Sequence, residues 1–347
     1  MLLLNVCNAW TGIALSTPAL WADIYLEFPG VQILELWFRR AGNYALSVHL
    51  RRGLDYHVAT SLANFSKQLK RLTVYEEQLT SGSLRGLVSF PHLETLDVGV
   101  EMDENNEFSA FSLHTTIRLL QLASNLVECT FRGLGFHYDL DTTDKVVLSR
   151  LRSLKFRRPS VDYHWHDYTG GYIEDRILKF LSLPALETLF LPFNISPADF
   201  ASFLAYSSPP LQQLFLGDGC RRLSFINLEE CLRLVPSVTR FELYVGPKIK
   251  EHLEDLFSVL VDSPSNLLPN LHTLKVQYNR YVVPTSVYQG LLHVLSARRA
   301  QIVSAHLINP NNELAMPSPE VLAGLQQLAA EGMDIHIGTP ENNFISS

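Results

Sequence analysis

One short pattern recurs along this chain and limits what it can fold into. It reads apolar, two variable residues, apolar, one variable residue, apolar. It occurs as Leu69-Leu72-Val74, Leu93-Leu96-Val98, Leu126-Cys129-Phe131 and Leu151-Leu154-Phe156, and again as Leu186-Leu189-Leu191, Leu211-Leu214-Leu216, Val238-Phe241-Leu243 and Leu271-Leu274-Val276. A looser copy is Ile302-Ala305-Leu307, and the starts lie 24, 33, 25, 35, 25, 27, 33 and 31 residues apart. The last two apolar residues of each copy are two apart, so they share one face of a short strand, and the first turns inward just before it. A unit of this kind cannot bury its apolar face alone, so neighbours stack into a parallel sheet. One copy arises by chance in any Leu-rich chain. Nine in ordered succession do not.

The pattern resembles the leucine-rich repeat, and two copies reach its full LxxLxLxxN form, at Leu186 through Asn194 and at Leu271 through Asn279. In that form the Asn can cap exposed backbone groups at the turn leaving the strand. Segments between the strands carry helix signals. Ile249, Leu253, Leu256, Phe257 and Leu260 follow the spacing of a buried helix face, as do Val287, Leu291 and Leu295. Arg298 and Arg299 fall in the last turn of the latter, where cations suit the helix dipole. Ser318-Pro319-Glu320 reads as an N-cap, a first-turn proline and an acidic first turn, with Gly332 just past the far end. The resemblance implies an α/β right-handed leucine-rich-repeat solenoid, a horseshoe with a parallel sheet, over residues 45–338. A frayed tail over 339–347 is expected after the strand Met333 to Ile337.

Residues 1–44 do not follow the repeat. Leu3, Val6, Cys7, Trp10, Ile13 and Ala14 fall on one face of an amphipathic helix, stopped by Ser16-Thr17-Pro18. Ile33, Leu34, Trp37 and Phe38 suit a second helix, and Ala45 to Leu50 alternates as the strand that opens the sheet. Leu3, Leu4, Val6, Cys7, Trp10, Ile13, Ala14, Leu15, Thr17, Pro18, Leu20 and Trp21 match, in order, the second half of the F-box in fungal (basidiomycete) F-box proteins with leucine-rich repeats. That resemblance implies a partial F-box-like helical segment over residues 1–44. Its Leu3, Val6, Cys7, Trp10, Ile13, Leu20 and Trp21 would dock on the adaptor subunit of an SCF-type ubiquitin ligase. Met1 falls inside the motif, and the leading Leu-Pro-x-Glu element and first helix have no counterpart in this sequence. Either the start lies further upstream, or ligase recruitment has been lost.

Composition narrows the function. Hydrophobic residues make up 47% and charged residues 18% of the 347, ample material for a core. A net charge of -7 with no basic block leaves no electrostatic footprint for nucleic acid or an anionic membrane. Four cysteines without a CxxC pair point to a reducing compartment, cytoplasmic or nuclear. The N-terminus lacks the basic region of a signal peptide, and no run of 18 apolar residues occurs. Neither a P-loop, a GxGxxG nor a GxSxG is present, and the His residues are scattered. Asp162-Tyr163-His164-Trp165-His166-Asp167-Tyr168 offers two His but no further ligand at metal spacing, so it reads as an aromatic loop. No catalysis, metal or cofactor is expected.

The third and fifth positions of each copy face outward and form the concave face of such an array. Most are polar, but Phe190 and Phe215 break the rule on consecutive strands, with Phe193 and Tyr244 just beyond the strands. Rimmed by Lys155, Arg240 and Glu242, these rings are the candidate site for an unknown protein substrate. The function implied is substrate recognition for an SCF-type ligase. The alternative is a stand-alone leucine-rich-repeat binding scaffold without ligase recruitment.

Overall fold

Like apolar positions stack on like positions throughout the molecule, and this register organises everything else. The computed structural model describes residues 7–27, 30–51, 56–76, 89–100, 111–132, 136–137, 145–157, 177–191, 197–217, 225–245, 250–262, 267–278, 283–309 and 316–346. The chain divides into two units, Met1–Ile173 with Phe180–Leu183, and Glu174–Lys179 with Pro184–Ser347.

The first unit runs α1 (Asn8–Ser16), a 3-10 turn Pro18–Trp21, β1 (Asp23–Leu26), α2 (Val31–Ala41), β2 (Leu46–Arg51), α3 (Tyr56–Asn64), β3 (Leu69–Glu76), β4 (Thr95–Val100), α4 (Leu113–Leu122), β5 (Glu128–Arg132) and β6 (Ser153–Arg157). Its six strands pair parallel in chain order, with Ile24, Val48, Leu72, Leu96, Cys129 and Leu154 in line. All six are buried. Two of the connections carry short parallel bridges, Phe111–Ser112 with Phe136–His137 and Val146–Val147 with Leu181–Ser182.

The second unit alternates strand and helix without exception among the described residues. It runs β7 (Thr188–Leu191), α5 (Pro197–Ser207), β8 (Gln213–Leu216), α6 (Phe225–Arg233), β9 (Arg240–Val245), α7 (Lys250–Asp262), β10 (Thr273–Tyr278), α8 (Thr285–Ala297), β11 (Ser304–Ile308), α9 (Pro319–Ala330) and β12 (Asp334–Gly338). Leu189, Leu214, Phe241, Leu274, Ala305 and Ile335 form one buried row. Leu191, Leu216, Leu243, Val276, Leu307 and Ile337 form the next. Alternating burial along the strands leaves the other sheet face open to solvent. The helices arise where the spacing predicts: α7 buries Leu253, Leu256, Phe257 and Leu260, and α8 buries Val287, Leu291 and Leu295. Ile249 lies outside the described residues. Pro319 opens α9, and Gly332 follows it at φ 104. Ser318 stands at the N-cap without a side-chain cap bond, its carbonyl accepting the Leu322 N–H at 2.8 Å.

Four features differ from the sequence expectation or were not part of it. First, β1 opens the sheet, one strand before the segment 45–50, so residues 1–44 are not wholly helical. Trp21, Ile24 and Leu26 keep the apolar spacing of the repeat there, with Trp in the leading place. Second, Asn125 and Asn270 act in the turn entering the strand, donating to the carbonyls of Pro91 and Pro236 in the preceding repeat at 2.8 and 2.9 Å. Each satisfies a turn carbonyl that the strand ladder cannot reach. Asn194 and Asn279 lie outside the described residues.

Third, Arg298 is not a solvated helix-end cation: it is 1% exposed. Its guanidinium donates to the carbonyls of Leu260, Leu267 and Leu268 at 2.8, 2.7 and 3.1 Å, tying the end of α8 to the end of α7. Burial lowers its pKa from the ordinary value. Fourth, residues 339–346 are ordered against the last strand. Asn343 accepts the Ile337 N–H at 3.0 Å and donates to the Ile335 carbonyl at 3.0 Å, while the Phe344 N–H reaches the Ile337 carbonyl at 2.8 Å. The side-chain amide thus stands in for a further strand and covers the edge. Gly338 makes the turn possible, at φ +155, where a Cβ would lie 1.9 Å from the Asn342 carbonyl.

Two stability effects follow. Arg298→Ala strands three buried carbonyls, and urea unfolding should show a loss of about 3 kcal/mol, only partly restored by Arg298→Lys. Asn343→Ala should cost about 1–2 kcal/mol and bring concentration-dependent association in sedimentation, because it uncovers the edge.

Candidate functional site

On the solvent face of the second unit, one row of side chains crosses six strands in register. Phe190 on β7 and Phe215 on β8 lead it, with rings stacked 3.7 Å apart and 5° from parallel. Parallel strands about 4.8 Å apart bring equivalent side chains to stacking distance, so the pair is a direct product of the register. Both rings are half-buried. Glu242 on β9 is the next member. Arg240 Nε donates to its Oε1 at 2.7 Å, and Lys275 Nζ on β10 lies 3.5 Å from its Oε2. The Glu242 side chain is 17% exposed between them.

Tyr244, half-buried, aligns with Gln277 further along β9. Lys155 belongs to the first unit, on β6, aligned with Thr130. Phe193 lies outside the described residues, as do residues 162–168. The structure therefore groups Phe190, Phe215, Arg240 and Glu242, and adds Lys275, His306 and His336 to the row. The signal for these three was present in the sequence. Lys275 and His306 occupy the same outward position of their copies as the two phenylalanines, and His336 alternates outward on the final strand.

The far end of the row holds a Ser, a His and an Asp together. Ser304 Oγ donates to Asp334 Oδ2 at 2.9 Å, and His306 Nε2 lies 3.1 Å from that carboxylate oxygen and 3.2 Å from Ser304 Oγ. A catalytic relay needs the carboxylate on one ring nitrogen and the hydroxyl on the other. Here one nitrogen meets both, so the group is a polar clamp between β11 and β12. His336 Nε2 meets the Thr339 carbonyl at 2.7 Å. Among the described residues, no three His, Cys, Asp or Glu side chains gather as a metal site.

The first unit presents different chemistry on its solvent face. Tyr25 stacks on His49 at 4.2 Å. Arg132 grips Asp97 with two donors, at 2.9 and 2.6 Å, and that hydrogen bonding pushes the Arg132 pKa up. The Tyr75 ring lies over Gly99, where an added Cβ would be 2.4 Å from it. The buried thiols are poor nucleophiles: burial pushes Cys129 up, and Cys231 to about 12.

The F-box-like segment divides in two. Trp10, Ile13, Leu15 and Leu20 are exposed by 47%, 54%, 45% and 48%. Ala14 is the buried residue of α1, while Trp10 and Ile13 of the same apolar face are open to solvent. Trp21 differs from the surface role that the resemblance implies. It is buried, its indole N–H donates to the Ala14 carbonyl at 2.7 Å, Trp37 meets it edge-on at 5.4 Å, and Arg40 sits 4.4 Å over its ring. It anchors the segment. Cys7 is exposed just before α1, and Leu3 and Val6 lie outside the described residues. No described helix is long and apolar enough to cross a membrane.

No protein-family model matches this chain, and no curated protein sequence matches it.

The Asp334 clamp has a pH signature. The His306 contact first, then the Ser304 hydroxyl, holds its carboxyl below the ordinary carboxylate value. A depressed folded-state pKa adds stability above the unfolded value, near 4, that is lost as pH falls through the folded one. The stability difference between the unmutated chain and Asp334→Asn should be present at pH 7 and vanish on acidification. Because the carboxylate is 70% exposed, the difference should be under about 0.5 kcal/mol in chemical unfolding.

Proposed function

We propose that this chain is a protein-binding subunit built on leucine-rich repeats, and that it serves an SCF-type ubiquitin ligase as its substrate receptor. The repeat reading is supported by the in-line burial of the fourth and sixth positions and by the recurrent Asn–Pro bond between neighbouring repeats. The observation that carries the ligase reading is the exposure of Trp10, Ile13, Leu15 and Leu20 on α1 and the turn after it. Large apolar side chains grouped on a helix and held outward by a buried anchor are typical of a docking surface. They are also the residues that match the F-box half-motif. The stacked phenylalanines and their charged neighbours supply the face for the target.

The mechanism is proximity. A target held on the repeats is presented to a ubiquitin-carrying enzyme recruited through the adaptor, so its effective concentration rises without chemistry by this chain.

Co-expression with the ligase adaptor tests the reading. The chain should be retained on the tagged adaptor, and Trp10→Ala should reduce retention by about tenfold or more without altering the circular dichroism spectrum. Absence of retention for folded unmutated chain would leave the stand-alone binding scaffold as the function.

A further inference from the structure

The outward row of the second unit is asymmetric. It begins with two stacked aromatic rings and continues, strand by strand, through Glu242, Lys275, His306 and His336. Among the described residues two anions lie on this face, Glu242 enclosed by its ion pairs and Asp334 more exposed. Glu242 is shared by Arg240 and Lys275, and Asp334 is taken by Ser304 and His306 at the far end. Beside the rings, two cations thus attend one carboxylate. Arg240 keeps 48% of its side chain exposed, and Glu242 only 17%. A basic ligand would meet a net positive charge there, with Glu242 already shared by two cations; an acidic one would meet the exposed Arg240 guanidinium.

We infer that the target segment bound on this face is an extended peptide that lays an apolar side chain on the Phe190–Phe215 pair and carries an acidic residue three positions away. This inference deepens the target-binding role proposed above and rests on it. The spacing follows from geometry. Lys275 stands two strands beyond Phe215, about 10 Å at the usual strand separation, and an extended chain in the polyproline II conformation covers that in about three residues, the interval at which its side chains return to the same face. The peptide crosses the strands, because the row it reads runs across them. Arg240, one strand from Phe215, lies beside the same path and can share the carboxylate with Lys275. The rings, stacked face to face, offer their edges and outer surfaces to an apolar group at small entropic cost, since they are already fixed against each other.

The probe is an immobilised library of ten-residue peptides with one fixed Phe and all other positions randomised, challenged with the full chain. Asp and Glu should be enriched roughly threefold or more at the third position from the Phe. Capture should fall at least severalfold for Phe215→Ala and for Phe190→Ala, each checked for native circular dichroism. The paired change Arg240→Gln with Lys275→Gln should keep Phe-dependent capture while removing the acidic enrichment. Enrichment of Lys, Arg or neutral residues at that position, with capture still lost in Phe215→Ala, would overturn the acidic assignment and leave the binding face intact. Capture insensitive to both phenylalanine variants, or no capture at all, would overturn the binding face and the assignment together.

Discussion

Parallel strands tolerate many registers as far as their backbone bonds are concerned. Side chains select one. In this chain two apolar positions per strand must face the helices, and a shift of one residue between neighbours would turn both to solvent. The selected register extends beyond the strands. Thr239 N–H bonds to the Gln212 carbonyl, His272 to Thr239 and Val303 to His272, so each repeat is aligned before its strand begins. The aromatic stack, the shared carboxylate and the polar clamp all inherit that alignment, because each includes a contact between equivalent positions of successive strands.

This explains which features could be read from the sequence. The facing of Phe190, Phe215, Arg240 and Glu242 required only the apolar pattern, and the structure places them where the pattern does. The extent of the row was also legible, since Lys275 and His306 hold the same position in their copies. Features that depend on three-dimensional neighbours were not. Asn125, Asn270 and Asn343 look alike in sequence, yet two join adjacent turns and the third covers an edge. Trp10 and Trp21 lie in one short motif with opposite fates. The difference rests on what surrounds each indole: Trp21 finds a carbonyl, a second indole and a guanidinium within reach.

The two candidate surfaces differ in how they are maintained. On α1 the large exposed side chains are aliphatic or indole, with Ala14 as the inward contact of that helix, so orientation depends on the Trp21 anchor. On the sheet face the side chains are held by one another, ring on ring and ion on ion, over a continuous buried layer. A surface of the first kind can re-orient as a body when its anchor gives. A surface of the second kind keeps its spacing as long as the strands stay paired, which is why a fixed distance between apolar and acidic groups can be read from it.

The buried guanidinium of Arg298 bears on how such an array can change over evolutionary time. Repeat proteins are commonly pictured as strings of interchangeable beads, lengthened or shortened by whole-unit duplication. Between α7 and α8 that picture fails. Removing the unit that ends at Leu268 would take three acceptors from a sequestered cation, and removing the unit that carries Arg298 would leave three carbonyls bare. These two units should be gained or lost as a pair. Recombination that splices new repeats into this lineage should find its permissive joints on either side of them.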